Sequence, residues 1–318
     1  MTFRYRDILK NALIMTWRHK FLWFFGLFAA LTSNGEEYDT LIRNANFVTG
    51  VQDYTGDLKA LANDGSLSQV WQDLTSYVAN NLSVSVATLL VSIIVALFIV
   101  WLIIVSQVAI ISSVARQQQK QPISIIEGFW SGNKLFPRIL AINLIALLLT
   151  YGLLILVNLP FLAGYFAYGN AIHLTVIVIL TFIILLPVNV IISFITKYAV
   201  ISVVFKNNSI GQAIRNGWQL LIKNWLVSLE TAFVLFLINF LVSIMVIGAI
   251  SISGIPVVNM TGFIVFFAIS AVLGAILATF QYSVWSYLFI ELNQRTGLSK
   301  LVRLFSRDSS GGNRRSVK

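Results

Sequence analysis

The chain has no cysteine, only two histidines and only 11% charged residues in 318. Without cysteine there are no disulfides, Fe–S clusters, thiolate zinc sites or cysteine nucleophiles. Soluble globular domains carry about a quarter charged residues, so this charge content argues against a soluble enzyme. No GxxxxGK[ST], HExxH, GxSxG or GxGxxG string occurs, which removes the common phosphate-loop, zinc-protease, hydrolase and dinucleotide signatures. The expectation is therefore a non-enzyme, with no catalytic, cofactor-binding or metal-ligating residue.

What the chain has in abundance is apolar surface, 58% of its residues. Five runs, near Val84–Val105, Ile139–Leu159, Ile172–Phe194, Leu226–Ile250 and Gly262–Leu288, are long enough to cross a hydrocarbon layer about 30 Å thick. A sixth, Phe21–Leu31, is shorter and follows Arg18, His19 and Lys20. Its length suits a signal-peptide core. The basic stretch ahead of it, residues 1–20, is long and itself reads as helical, so an uncleaved first span beginning near Trp17 is preferred. The predicted fold class is all-α: a polytopic membrane helix bundle of about six transmembrane helices, with interfacial amphipathic helices before spans 1, 3 and 5. The segments are residues 1–33 (interfacial helix and first span), an acidic extracytoplasmic insert over 34–82, a bundle over 83–293 and a basic tail over 294–318.

Charge placement orients this bundle. Of the 22 lysines and arginines, 20 fall in residues 1–20, 116–138, 197–223 and the tail, and only Arg43 and Lys59 lie elsewhere. Basic residues are retained on the cytoplasmic side, so both termini are expected in the cytoplasm. His19 and His173 then lie at opposite faces and form neither a metal site nor a relay. The insert holds seven of the twelve acidic residues. In it Val70, Trp71, Leu74, Val78 and Leu82 recur at helical spacing, as in an amphipathic helix lying on the bundle or the interface.

The sequence also repeats. Ser124, Glu127, Gly132 and Arg138 recur 85 residues later as Ser209, Gln212, Gly217 and Lys223. Each copy opens with Ser-x-x-Glu/Gln, a capping box in which side chains satisfy free helix N–H groups. In the later copy Ile210, Ile214, Trp218, Leu221 and Trp225 share a face opposite Arg215, Gln219 and Lys223. A weaker third copy places Ile8, Ala12 and Thr16 on one face, with Trp17 five residues after Ala12. Three helix-pair units result, with Trp17, Trp130, Trp218, Trp225, Arg138 and Lys223 as interfacial anchors.

The strings Trp17-Arg-His-Lys-Phe-Leu-Trp-Phe-Phe-Gly26, Ser106-Gln107 through Arg116, and Ala213 through Trp225 resemble a broad group of prokaryotic multi-pass proteins. That group is similar to the membrane domain attached to some glycerophosphodiester phosphodiesterases. The resemblance implies a six-helix membrane domain and brings no catalytic residues. The chain has no room for the phosphodiesterase barrel of the fused proteins.

Ionisable groups inside spans are functional candidates by default. Glu230 lies about 8 Å into span five, by the 1.5 Å rise per residue, and Lys197 at the end of span four is its candidate partner. Span four also carries Pro187 and Asn189, a helix break that frees a carbonyl. Together Glu230, Lys197, Asn189 and Pro187 form the candidate intramembrane polar site; Asn143, Asn239 and Gln281 are expected to face the same interior. Ala271, Gly274, Ala275 and Ala278 suit close packing of span six, within the bundle or in a homo-oligomer. The tail, with Lys300, Arg303 and Arg307 among apolar residues, is expected to meet anionic lipid rather than nucleic acid. Three readings of function follow: a membrane or lipid-associated scaffold or accessory protein, a small-solute transporter or channel, and a membrane partner of a lipid-modifying phosphodiesterase.

Overall fold

A computed structural model describes residues 5–33, 82–168, 171–253 and 260–294. Among them are eight α-helices: α1 Tyr5–Arg18, α2 Leu22–Ser33, α3 Leu82–Gln118, α4 Ile125–Tyr168, α5 Ala171–Lys206, α6 Ile210–Lys223, α7 Trp225–Ser253 and α8 Met260–Gln294. Five segments are long and apolar enough to cross a membrane: Val86–Gln118, Ile125–Val157, Ile183–Lys206, Trp225–Val246 and Phe267–Asn293. They overlap the five long runs of the sequence, and the protein is a multi-pass helical membrane protein. The expected first span corresponds to α2, whose 12 residues extend about 18 Å at 1.5 Å per residue. The acidic insert and the basic tail, apart from their end residues Leu82 and Gln294, lie outside the described residues.

The helices divide between two compact units, one of Met1–Asn34, Ile103–Leu147 and Ile192–Lys318, the other of Gly35–Leu102 and Leu148–Ile191. In the second, the side chains of Leu89, Ile94, Leu97 and Phe98 on α3 and of Leu148, Ile155 and Leu156 on α4 are exposed, the surface of a helix bathed in lipid.

The first unit is packed through small residues. Both α1 and α2 lie along α8. A Cβ on Gly26 would meet the Ala275 carbonyl oxygen at 2.1 Å, so the α2 and α8 backbones touch there. The small-residue stripe of span six is thereby occupied within the chain: Ala275 and Ala278 are buried. Gly132 lies against Val105, and Gly217 against the Ile195 carbonyl, where added Cβ atoms would come within 2.7 and 2.8 Å. Without a hydrophobic force between helices in lipid, close backbone approach is what association draws on. Larger residues fill the rest. Tyr198, fully buried, meets the ring of Trp285 edge-on at 5.8 Å, and Phe194 meets it at 5.4 Å.

Hydroxyl groups are common in this core and satisfy themselves locally. Thr279, Ser283 and Ser286 on α8 each donate to the carbonyl four residues earlier, at 2.8, 2.7 and 2.7 Å. Such back-bonding removes the cost of burying a hydroxyl in an apolar medium.

One expected element differs. The segment before span three is not a separate interfacial helix: α4 runs unbroken for 44 residues. By contrast α6 and α7 are separated at Asn224, whose side-chain amide donates to the Leu220 carbonyl at 3.2 Å, while its backbone leaves the helical region at φ −134°. Eighty-five residues earlier the corresponding position is Ile139, fully buried. At the α1–α2 junction, Leu22, Trp23 and Phe24 donate to the carbonyls of His19, Lys20 and Phe21, a tight i→i−3 turn.

Candidate functional site

Near its start α7 carries Glu230, half-buried and six residues past the Asn224 break. Its partner is Tyr5, the first residue of α1, whose hydroxyl donates to Oε2. The other oxygen, Oε1, is buried without a hydrogen-bond partner among the described residues. Burial pushes the acidity of Tyr5 to a higher pH, and the hydrogen bond to Glu230 and its charge add to that. The phenol therefore stays protonated as the donor of the pair. On the same helix Ser228 shares a 2.6 Å hydrogen bond with the hydroxyl of Tyr198. Thr231 back-bonds to Val227 at 2.8 Å.

Lys197, the residue before Tyr198, does not serve as the carboxylate's partner. Its ammonium lies 5.1 Å from the centroid of the Trp285 ring, a cation–π distance. Pro187 and Asn189 belong to the other compact unit. Pro187 stands inside α5 and leaves the Ile183 carbonyl without its helical donor. Asn189 is buried, and its Oδ1 has no partner among the described residues.

Of the other amides, Asn143 on α4 donates to Gln107 Oε1 on α3 at 3.3 Å, and Gln107 donates to the Tyr282 hydroxyl on α8 at 2.6 Å. Three helices are thus joined by one polar chain. Gln281 is buried beside it, and Asn239 is half-buried. The sequence pointed to Asn143 but not to Gln107, Tyr282, Tyr5 or Tyr198. Gln107 was open to discovery as an amide in the middle of an apolar run; nothing local marks the tyrosines.

The anchors lie on the outside. Trp17, Trp130, Trp218 and Trp225 are exposed, and Trp17 meets Trp23 edge-on at 5.4 Å. Lys223 ends α6, where a cation complements the carbonyl end of the helix dipole. Arg138 donates to Asn207 Oδ1 at 2.7 Å. Asn207 has φ 50°, the left-handed conformation that closes a helix and that asparagine tolerates. Arg116 pairs with Glu127 at 2.5 Å. His19 is held neutral to lower pH than usual, by burial first and by Arg18 second.

On α6 the protein-facing seam is Ala213, Gly217 and Leu221. The Ile–Trp face, expected at the membrane interface, is turned largely outward: Trp218 and Trp225 are exposed, as are Arg215, Gln219 and Lys223. The small residues take the protein contact because only they admit the α5 backbone this closely.

The chemistry these groups offer is hydrogen bonding and charge neutralisation. Comparison with family models, curated proteins and solved structures finds no match.

Proposed function

We propose that this multi-pass protein acts without chemistry of its own, as a lipid-associated scaffold whose basic face engages anionic headgroups. The observation that carries the reading is the outward face of α6, where Arg215, Trp218, Gln219, Ile222 and Lys223 are all exposed while the helix holds the bundle through its small-residue seam. Helix α1 repeats the pattern with Arg6, Lys10, Leu13, Trp17 and Arg18 exposed and Ile8, Ala12, Met15 and Thr16 buried. Tryptophan and basic residues on one face of a helix match the membrane interface. The recurrence of the pattern supports a chain of similarly oriented helix-pair units.

Each basic residue near an anionic surface contributes about 1 kcal/mol. Phosphatidylglycerol in nanodiscs is therefore expected to raise the thermal stability of the protein over phosphatidylcholine alone. Arg215→Gln with Lys223→Gln should remove much of that gain, whereas an equal gain in wild type and double variant would refute the reading.

The same reading places both termini and all these bases in the cytoplasm. Because the chain has no cysteine, single cysteines report sidedness directly. Asp57→Cys is expected to react with an impermeant maleimide in intact cells, and Lys223→Cys only after permeabilisation. The reverse pattern would invert the topology.

A second reading, a proton-coupled transporter, draws on the buried, unpartnered Oε1 of Glu230.

A further inference from the structure

The ends of α3, α5 and α8 border a half-open cavity of about 300 Å³ that is distinct from the α1 and α6 surfaces; its polar residues are exposed. Gln118, Lys206 and Asn293 line it, and each is the last residue of its membrane-length segment. Three membrane-length segments therefore end at the rim of the cavity. Phe205 and Phe289 form an apolar wall, and Gln119 adds a second amide to that of Gln118.

Lys206 is the charged residue of the lining. Its ammonium donates to Asn293 Oδ1 at 2.8 Å and lies 5.8 Å from the Phe289 ring centroid. An ammonium has three donors, so two remain. Among the described residues no carboxylate pairs with it. Arg116, at the end of α3, is by contrast neutralised by Glu127. The negative end of the helix dipole explains why a base terminates α5. It does not explain why the head is held sideways by Asn293, on the cavity wall.

We propose that this cavity binds a phosphate-bearing anion, with Lys206 supplying the charge, Gln118 and Gln119 donating from their amides, and the two phenylalanines packing the carbon part of the ligand. The volume is at the small end of ligand pockets, suited to a glycerophosphate group and not to acyl chains. That chemistry is shared by a lipid headgroup and by a soluble phosphate ester. The site does not depend on the α6 face, so either proposal can fail alone.

The test compares wild type, Lys206→Gln, Lys206→Arg and Asn293→Asp by thermal unfolding. In neutral detergent the probe is inorganic phosphate or glycerol phosphate against chloride at matched ionic strength; in nanodiscs it is phosphatidylglycerol against phosphatidylcholine. Asn293→Asp retains the acceptor for Lys206 and places a negative charge in the cavity, so it serves if Lys206→Gln folds poorly. Binding is expected to weaken about tenfold in Lys206→Gln and in Asn293→Asp, about 1.4 kcal/mol, and to be largely kept in Lys206→Arg. A response to the soluble esters identifies a soluble ligand, and a Lys206-dependent response to phosphatidylglycerol alone identifies a lipid. No stabilisation of wild type by either probe, or equal stabilisation of wild type and both charge variants, would overturn the site. A lipid response lost in Arg215→Gln/Lys223→Gln but intact in Lys206→Gln would overturn it while leaving the scaffold reading in place.

Discussion

Gly26→Ala is expected to destabilise the bundle by about 3 kcal/mol or more, at the upper end of over-packing costs. The added methyl carbon would lie 2.1 Å from the Ala275 carbonyl oxygen, 2.3 Å from Thr279 Oγ1 and 2.9 Å from the Ala275 carbonyl carbon. Two of these atoms are backbone and cannot swing aside. The third is held by hydrogen bonds to Ala275 at 2.8 Å and to the Leu22 carbonyl at 3.2 Å. Relief requires α2 to move off α8, which uncovers Leu22, Phe25 and Ala29, all buried. The yield of monodisperse protein and its melting temperature measure the effect. Gly152→Ala is the control. Nothing lies within 4 Å of its added carbon, and replacing a helical glycine gains up to about 1 kcal/mol. If the two variants behave alike, the α2–α8 contact is wrong.

Tyr5→Phe is expected to cost about 1–2 kcal/mol, because it leaves a half-buried carboxylate without its donor. Glu230→Gln removes the charge and keeps an acceptor oxygen for the phenol, so its cost should stay below about 1 kcal/mol. The asymmetry distinguishes a half-buried charge that needs Tyr5 from a simple contact. Amide hydrogen exchange in α1 reports it, since α1 is what the bond holds, and equal protection in Tyr5→Phe and wild type would contradict it. The alkaline limb follows from the raised phenol. Docking is fully stable below the ordinary tyrosine value of 10.0 and weakens as pH rises above it, because the undocked phenol ionises first. Should the protein instead couple flux to protons, Glu230→Gln would abolish that flux in proteoliposomes while leaving the fold intact; unchanged flux would remove Glu230 from any such path.

Helix positions were legible because apolar length is a local property. The long runs mark α3, α4, α5, α7 and α8, and the buried face of α1 was visible as Ile8, Ala12 and Thr16. The capping pattern was also local: Glu127 N–H donates to Ser124 Oγ at 3.3 Å and Ser209 N–H to Gln212 Oε1 at 3.3 Å. Pairings were not legible. Tyr5 and Glu230 lie 225 residues apart, and no periodicity connects them. Lys197 was nearer in the sequence and complementary in charge, yet a neighbouring indole face holds it. The seam of α6 was not legible, because the amphipathic pattern marks the interfacial face and not the small residues Ala213 and Gly217 that touch the protein. In a membrane the largest apolar side chains face lipid at no cost, and glycine and alanine mark the protein contact. The break at Asn224 was not legible either, since the matching segment before span three carries Pro137 and yet continues as one helix.

The hydrogen bond from Thr279 to the Leu22 carbonyl spans 257 positions of the chain. Ribosomes add about 5–20 residues each second, so the partner of Leu22 is made roughly 13–50 s after it. For that interval the groove at Gly26 stands open. Helix α8 is suited to closing it late, since Thr279, Ser283 and Ser286 already bond their own backbone and bring no unsatisfied hydroxyl into the bilayer. A chain whose synthesis stops before Ala275 would carry α2 into the membrane with its close-packing face exposed to lipid or to whatever insertion factor attends it.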